Sequence, residues 1–201
     1  MHRSTNSRTK LRHLSACLAF ACVQQAPTPS AHVVAQYTLP DKPLAAFFNV
    51  LVPKSISNDR GVLLGGVGSD LWHGANDALD EFWMLTDRGP NGQVKVDGAT
   101  RRTFLAPQFA PLILHVKVSD GAIVIQRALT LIGKSGRPVT GLPNLAEHDE
   151  KPYAADAAGE LAFNVNGIDS EGLVRTKAGE FWLADEYGPS LVHVDASGVV
   201  L

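Results

Sequence analysis

The sequence predicts an all-β chain, and within that class an incomplete, N-terminal fragment of a β-propeller of about three blades. One observation is an internal repeat. Gly68-Ser69-Asp70 followed by Phe82-Trp83 and Gly89-Pro90 returns as Gly167-Ile168-Asp169, Phe181-Trp182 and Gly188-Pro189. Six positions match at one offset of 99 residues without a gap, in a chain with only three tryptophans. That offset is about twice the 40–50 residues of a propeller blade, so a diverged blade is expected between the two copies. A second observation is local: strand and turn signals run through residues 36–201, and no helical period persists over three turns there.

Residues 1–35 read as a signal peptide. Arg3, Arg8, Lys10 and Arg12 precede the apolar run Leu14–Val23, and a polar stretch with Pro27 and Pro29 follows. Ten apolar-rich residues are too few to span a bilayer, which takes roughly 20. Cleavage after Ala31 or Ala35 leaves a small residue at the cut, so no transmembrane segment is expected after processing. The expected location is the periplasm or the extracellular space. Cys17 and Cys22 both lie in this segment, which removes disulfides and thiolate metal sites from the mature chain. Neither sits in a well-formed lipoprotein box, so lipidation is the less favoured route.

Residues 36–201 form the expected β domain. The chain is 45% hydrophobic and 19% charged, an ordinary globular composition. Strands are expected over Gly61–Val67, Glu81–Thr86, Glu160–Val165, Glu171–Arg175, Glu180–Ala184 and Ser190–Val194. Leu112–Val118 and Ala122–Gln126, joined at Ser119-Asp120-Gly121, read as a hairpin at the midpoint of the repeat. The last hairpin stops three residues after its turn Asp195–Gly198, an expectation that the domain is truncated at its C-terminal end. Without residues 1–35 the chain carries 14 basic and 20 acidic side chains, a formal charge of −6. A surface of that sign with no basic stripe excludes nonspecific nucleic-acid binding.

The series Leu85-Thr86-Asp87-Arg88-Gly89-Pro90-Asn91-Gly92, Thr140–Asn144, Gly167–Val174, Phe181-Trp182 and Asp185–Ser190 resembles the bacterial phytase-like family described as having esterase-like activity. The likeness covers about residues 60–201. It implies an exported propeller and a hydrolase acting on a small-molecule ester, phosphoesters included. It carries the family's motifs onto Asp87, Arg88, Asn91, Asp169, Glu171, Asp185, Glu186 and Tyr187. Of these, Asp87, Arg88 and Glu186 are the candidate catalytic residues, and Asn91 and Tyr187 the candidate substrate contacts.

The residues themselves point to a cation. Asn164, Asn166, Asp169 and Glu171 form an oxygen-rich run around Gly167, and Asp169 and Glu171 share a face if the chain is extended. Hard oxygen ligands suit Ca²⁺, although the run is not an EF-hand loop. Asp169, Glu171 and Asp185 are the candidate ligands, with Glu186 as the alternative to Asp185. A cation would reverse the repulsion between an anionic substrate and an acidic protein. For single residues the structural readings stand beside these: Asp87 closing a turn, Arg88 in a salt bridge, the Phe-Trp pairs in the core. Dispersed histidines and the absence of a nucleophile elbow argue against a serine triad. The competing function is a noncatalytic propeller that binds a ligand or protein partner.

Overall fold

The computed structural model describes residues 32–47 and 63–201. The expected signal peptide therefore lies, up to Ala31, outside the described residues, as does the start of the strand expected at Gly61. The described chain is all-β apart from one 3-10 turn, Leu44–Phe47. Its first sheet is an antiparallel meander in the order β1 (Val67–Trp72), β2 (Glu81–Thr86), β5 (Leu112–Ser119), β6 (Ala122–Thr130). Between β2 and β5 the chain inserts a second hairpin, β3 (Asn91–Val96) and β4 (Ala99–Phe104), with β7 (Pro152–Ala154) added parallel to β4. The second meander is β8 (Ser170–Arg175), β9 (Phe181–Asp185) and β10 (Ser190–Val194). Two meanders that stack face to face fit a partial propeller.

The hairpin at the midpoint of the repeat is present, but β5 and β6 are the outer half of the first sheet and do not form a sheet of their own. Turn chemistry sets both tight hairpins. Asp97 and Gly98 have φ of 50° and 82°, Asp120 and Gly121 51° and 76°, the left-handed pair that a two-residue hairpin turn requires. Of the strand expected at Gly61–Val67, the described residues hold a single bridge at Leu63, and β1 itself starts at Val67. The one expected over Glu160–Val165 is a single bridge at Glu160 followed by a loop. There Asn164 accepts the Gly167 N–H at 2.6 Å on its carbonyl and the Asn166 N–H at 3.0 Å on its side chain, so local turn bonds displace the ladder.

Alternation along β2 and β9 builds the core. Trp83 and Leu85 face the second sheet, which answers with Phe181, Leu183 and Leu173; Ile113, Leu131 and Val194 complete this cluster. Leu85, Ile113 and Leu183 are 0% exposed, and burying each such side chain contributes about 2 kcal/mol. The opposite face of the first sheet packs Phe82, Met84, Leu112, Leu114 and Val116 with Leu44, Leu64 and Phe109.

The repeat is structural in one half only. Trp83 pairs across the sheet with His115 and stacks on it at 4.5 Å, and Trp182 does the same with His193 at 4.2 Å. Glu81 lies 3.5 Å from His115 and Glu180 3.0 Å from His193. The Gly-Pro turns also correspond. Gly89 and Gly188 have φ of 90° and 51°, and a Cβ on either would strike Phe109 or Leu145. The Gly-x-Asp half does not superpose. Val67 opposes Thr86 whereas Ser170 opposes Asp185: Trp72 opposes Trp83 where Val174 opposes Trp182, so β1 is already offset by about three residues at its far end, and its wider bulge adds to that. Asp70 consequently lies inside β1 and accepts the Leu173 N–H at 2.6 Å, while Asp169 precedes β8.

Candidate functional site

The loops after β2 and β9 and the chain entering β8 converge at one end of the two sheets. Asp87 leaves β2 with its N–H on the Gly66 carbonyl, and its Oδ1 accepts the Gly89 N–H at 2.8 Å. That is the turn-closing role open to it from sequence. Burial, the largest influence, raises its pKa, and the Gly89 N–H and Arg88 oppose the shift.

Arg88 is the hub. Its backbone N–H donates to Asp169 Oδ1 at 3.1 Å, and Nε lies 3.0 Å from Asp169 Oδ2. Nη1 donates to Tyr187 Oη at 2.9 Å and to Glu150 Oε1 at 3.1 Å, and Nη2 lies 3.8 Å from Glu186 Oε1. Burial works against its charge most strongly, but Tyr187 and the carboxylates outweigh that and raise its pKa. Arg88 and Tyr187 occupy the same place in the two copies of the repeat, so the repeat brings its own equivalent positions into contact.

Asp185 is built into the backbone. Its Oδ1 accepts the Asp169 N–H at 2.9 Å and the Tyr187 N–H at 3.1 Å, and burial pushes its pKa up to about 6. The Glu186 N–H in turn donates to the Asp169 carbonyl at 3.0 Å. Tyr187 is buried, and its hydroxyl donates to the Gly141 carbonyl at 3.3 Å. Burial raises the phenol's pKa; Arg88 pulls the other way. Asn144, in the Thr140–Asn144 run, ties the same region through its amide to the Gly167 carbonyl at 3.0 Å.

Three carboxylates remain for a cation. Asp169, Glu171 and Glu186 each offer an oxygen, all within 4.8 Å of one another. Asp169 is 1% exposed, and its Oδ2, although close to Arg88 Nε, accepts no well-directed hydrogen bond. Burial pushes the Asp169 pKa up to about 7; Arg88 lowers it and Glu186 raises it further. Glu171 is also raised, by burial first and then by Glu186 and Asp87. The donor set and the orphaned buried oxygen fit a hard divalent cation. Glu186 stands where Asp185 was the first choice from sequence.

Sequence reasoning missed the hairpin β3–β4 and the two charged residues that close the site with it. Arg102 on β4 donates through Nε to Glu150 Oε1 at 2.6 Å and through Nη1 to Asn91 Oδ1 at 2.8 Å. Asn91 Nδ2 donates to the Gly89 carbonyl at 2.9 Å, so both ends of that amide are engaged. The signal was the Val94-Lys95-Val96-Asp97-Gly98 alternation into a turn dipeptide, which marks a hairpin. Glu150 sits in the charged run Glu147–Lys151, which reads from sequence as a solvated loop. Nothing local distinguishes it.

Comparison with known proteins places this geometry. A protein of Arthroderma benhamiae described as an "uncharacterized secreted protein" is 29% identical over 174 residues, covering 75% of this chain and 34% of its own length. This chain therefore spans about a third of that relative. No solved structure matches. No helix among the described residues is long and apolar enough to cross a membrane. The phytase-like family, described as "esterase-like activity of phytase", matches residues 64–201, the stretch that holds both meanders and every residue of the carboxylate and arginine cluster, and the chain belongs to that family.

Proposed function

We propose that this chain carries the site of an exported hydrolase that cleaves an ester, phosphoesters included, by metal-assisted attack of water, in the periplasm or outside the cell. The observation that carries the reading is the trio Asp169, Glu171 and Glu186 beside the Arg88 guanidinium, in a chain of the phytase-like family. Ca²⁺ is the cation that hard, flexible oxygen ligands from separate loops suit best. Bound there, it would polarise the ester and acidify water. Arg88 holds Asp169 in place through backbone and side chain and keeps a cationic edge toward Glu186. Glu186 is 54% exposed on its side chain; with one carboxylate oxygen offered to the cation, its other oxygen is left to take a proton from an incoming water. Asp87 shapes the turn that aims Arg88, and Asn91 and Tyr187 orient substrate through the guanidinium groups they bind. Export is supported by the basic and apolar segment ahead of residue 36 and by the secreted relative.

The rival reading, a noncatalytic binding propeller, is favoured by Asp87, Asp185, Asn91 and Tyr187 holding backbone groups or one another. Two measurements decide. Calorimetry should show calcium binding that Asp169→Asn weakens at least tenfold with the fold unchanged, since the amide keeps the shape and loses the charge. The protein with calcium should turn over 4-nitrophenyl phosphate or 4-nitrophenyl acetate, and a chelator should abolish that turnover. Absence of calcium heat sinks the metal site; calcium binding without turnover of either ester leaves the rival.

A further inference from the structure

We infer that Arg88 and Arg102 form an oxyanion-binding pair, a place for the phosphate group of a ligand, and that the Glu150 carboxylate fills it as a built-in substitute. Two guanidinium groups from different elements converge on one oxygen: Glu150 Oε1 lies 3.1 Å from Arg88 Nη1 and 2.6 Å from Arg102 Nε. A single carboxylate oxygen between two planar forks is the arrangement a phosphate oxygen adopts in such sites, and the forks leave further donors for its other oxygens.

Both cations are held in place without Glu150. Arg88 is anchored by Asp169 and Tyr187, and Arg102 by Asn91, which is tied to the turn that carries Arg88. Removing the carboxylate would leave two oriented like charges, with side chains only 15% and 18% exposed, and no shared counter-ion. Glu150 itself is 36% exposed and is the accessible member of the three. Its backbone has little freedom to leave. Asp149 Oδ2 accepts the Asn144 and Leu145 N–H groups at 3.0 and 2.7 Å, and Pro152 is in register with Arg102. Exchange of Glu150 for an incoming anion therefore takes a side-chain rotation and no loop opening. The same guanidinium of Arg88 touches Asp169, so the anion would sit one side chain away from the carboxylate trio. The pair gives the ester reading a preference for phosphorylated substrates, and it rests on that reading for its purpose but not for its existence.

Binding of inorganic phosphate to the whole chain tests the pair without reading turnover, so its failure is separable from failure of the ester reading. Glu150→Gln, which keeps the shape, should bind phosphate at least tenfold more tightly than wild type, and adding Arg102→Gln should erase the gain. In wild type, the Arg88 and Arg102 Nε–H resonances should shift together on titration with phosphate. Equal affinity in wild type and Glu150→Gln, a gain that survives Arg102→Gln, or Nε–H resonances that stay fixed would each overturn the proposal and leave Glu150 a structural bridge.

Discussion

The two meanders begin from one sequence pattern and meet different neighbours. In the first sheet Trp83 is 6% exposed, lies 5.1 Å from the Phe181 ring and is covered by the Arg175 guanidinium at 4.7 Å. In the second sheet Trp182 is 40% exposed, and Val174 and Leu191, which flank it on the same face, are 46% and 72% exposed. Each tryptophan nevertheless stacks on the histidine of the neighbouring strand in the sheet, with the glutamate two residues before the tryptophan beside that histidine. The cross-strand grouping is thus a property of the sheet, and burial is a property of what stacks on it. A sequence repeat reports the first directly and the second only when both faces have partners.

The largest test of that distinction is truncation of the two tryptophans. Trp83→Ala should cost about 3–5 kcal/mol in a urea unfolding experiment, whereas Trp182→Ala should cost less than about 1 kcal/mol. Equal losses would mean that the stacked histidine, and not the facing sheet, sets the energetics. Trp83→Phe should be milder than Trp83→Ala, since the indole N–H is buried without a hydrogen-bond partner.

A smaller effect sharpens the comparison from the other side of the interface. Arg175 lies over Trp83 and is 3.4 Å from Asp77, whereas Trp182 has no such cover among the described residues. Arg175→Met keeps much of the stem packing and removes the charge. It should lower stability by about 1 kcal/mol, and the loss should shrink in a Trp83→Phe background, whose ring is the weaker cation partner. A loss that ignored the background would assign Arg175 to Asp77 alone.

The smallest effect concerns the turns that follow the third strand of each meander. Asp120-Gly121 makes its turn from backbone angles, but Asp195 accepts the Ser197 hydroxyl at 2.7 Å and the Ser197 and Val199 N–H groups at 2.8 and 2.9 Å. Those bonds, the Ser197 side chain's first, lower the Asp195 pKa below its ordinary value. A carboxylate stabilised in the folded state adds stability above its unfolded pKa and loses it as pH falls through the depressed folded value. Wild type should therefore lose a small increment of stability in acid that Asp195→Ala lacks, read as a difference between their unfolding midpoints from pH 7 to pH 3. Parallel curves would show that the turn holds without the charge.

How far the sequence could be read follows the range of the interactions. β2, β5, β9 and β10 were legible because alternation and turn residues are local, and Phe-Trp with Gly-Pro marked equivalent strands. Asp169, Glu171, Glu186 and Arg88 were legible as a group through family resemblance and an oxygen-rich run, and the structure brings them together. The register offset that moves Asp70 away from Asp169's position, most of it already present where Trp72 opposes Trp83, left no mark in a gap-free alignment. Glu150 and Arg102 were illegible for a related reason: their meeting depends on a parallel pairing of β4 with β7 across some fifty residues of chain, and neither lies in a motif. Glu160–Val165 misled because Leu161-Ala162-Phe163 is a short apolar run of strand length while Asn164 and Gly167 favour a turn.

The hairpin inserted between β2 and β5 also lengthens the chain that the first sheet has to close. In the second meander each strand is followed by its partner after one short loop, so its pairings close cheaply. In the first, β2 must wait for β5 across the span from Thr86 to Leu112, roughly five times as long, which adds about 1.4 kcal/mol of closure entropy before any core contact forms. Zipping β3 onto β4 first shortens that span. The insertion that contributes Arg102 and Asn91 to the site is thereby also an early step toward the sheet it interrupts, and a change that weakens its Asp97-Gly98 turn reaches the core through the rate of assembly as well as through the site.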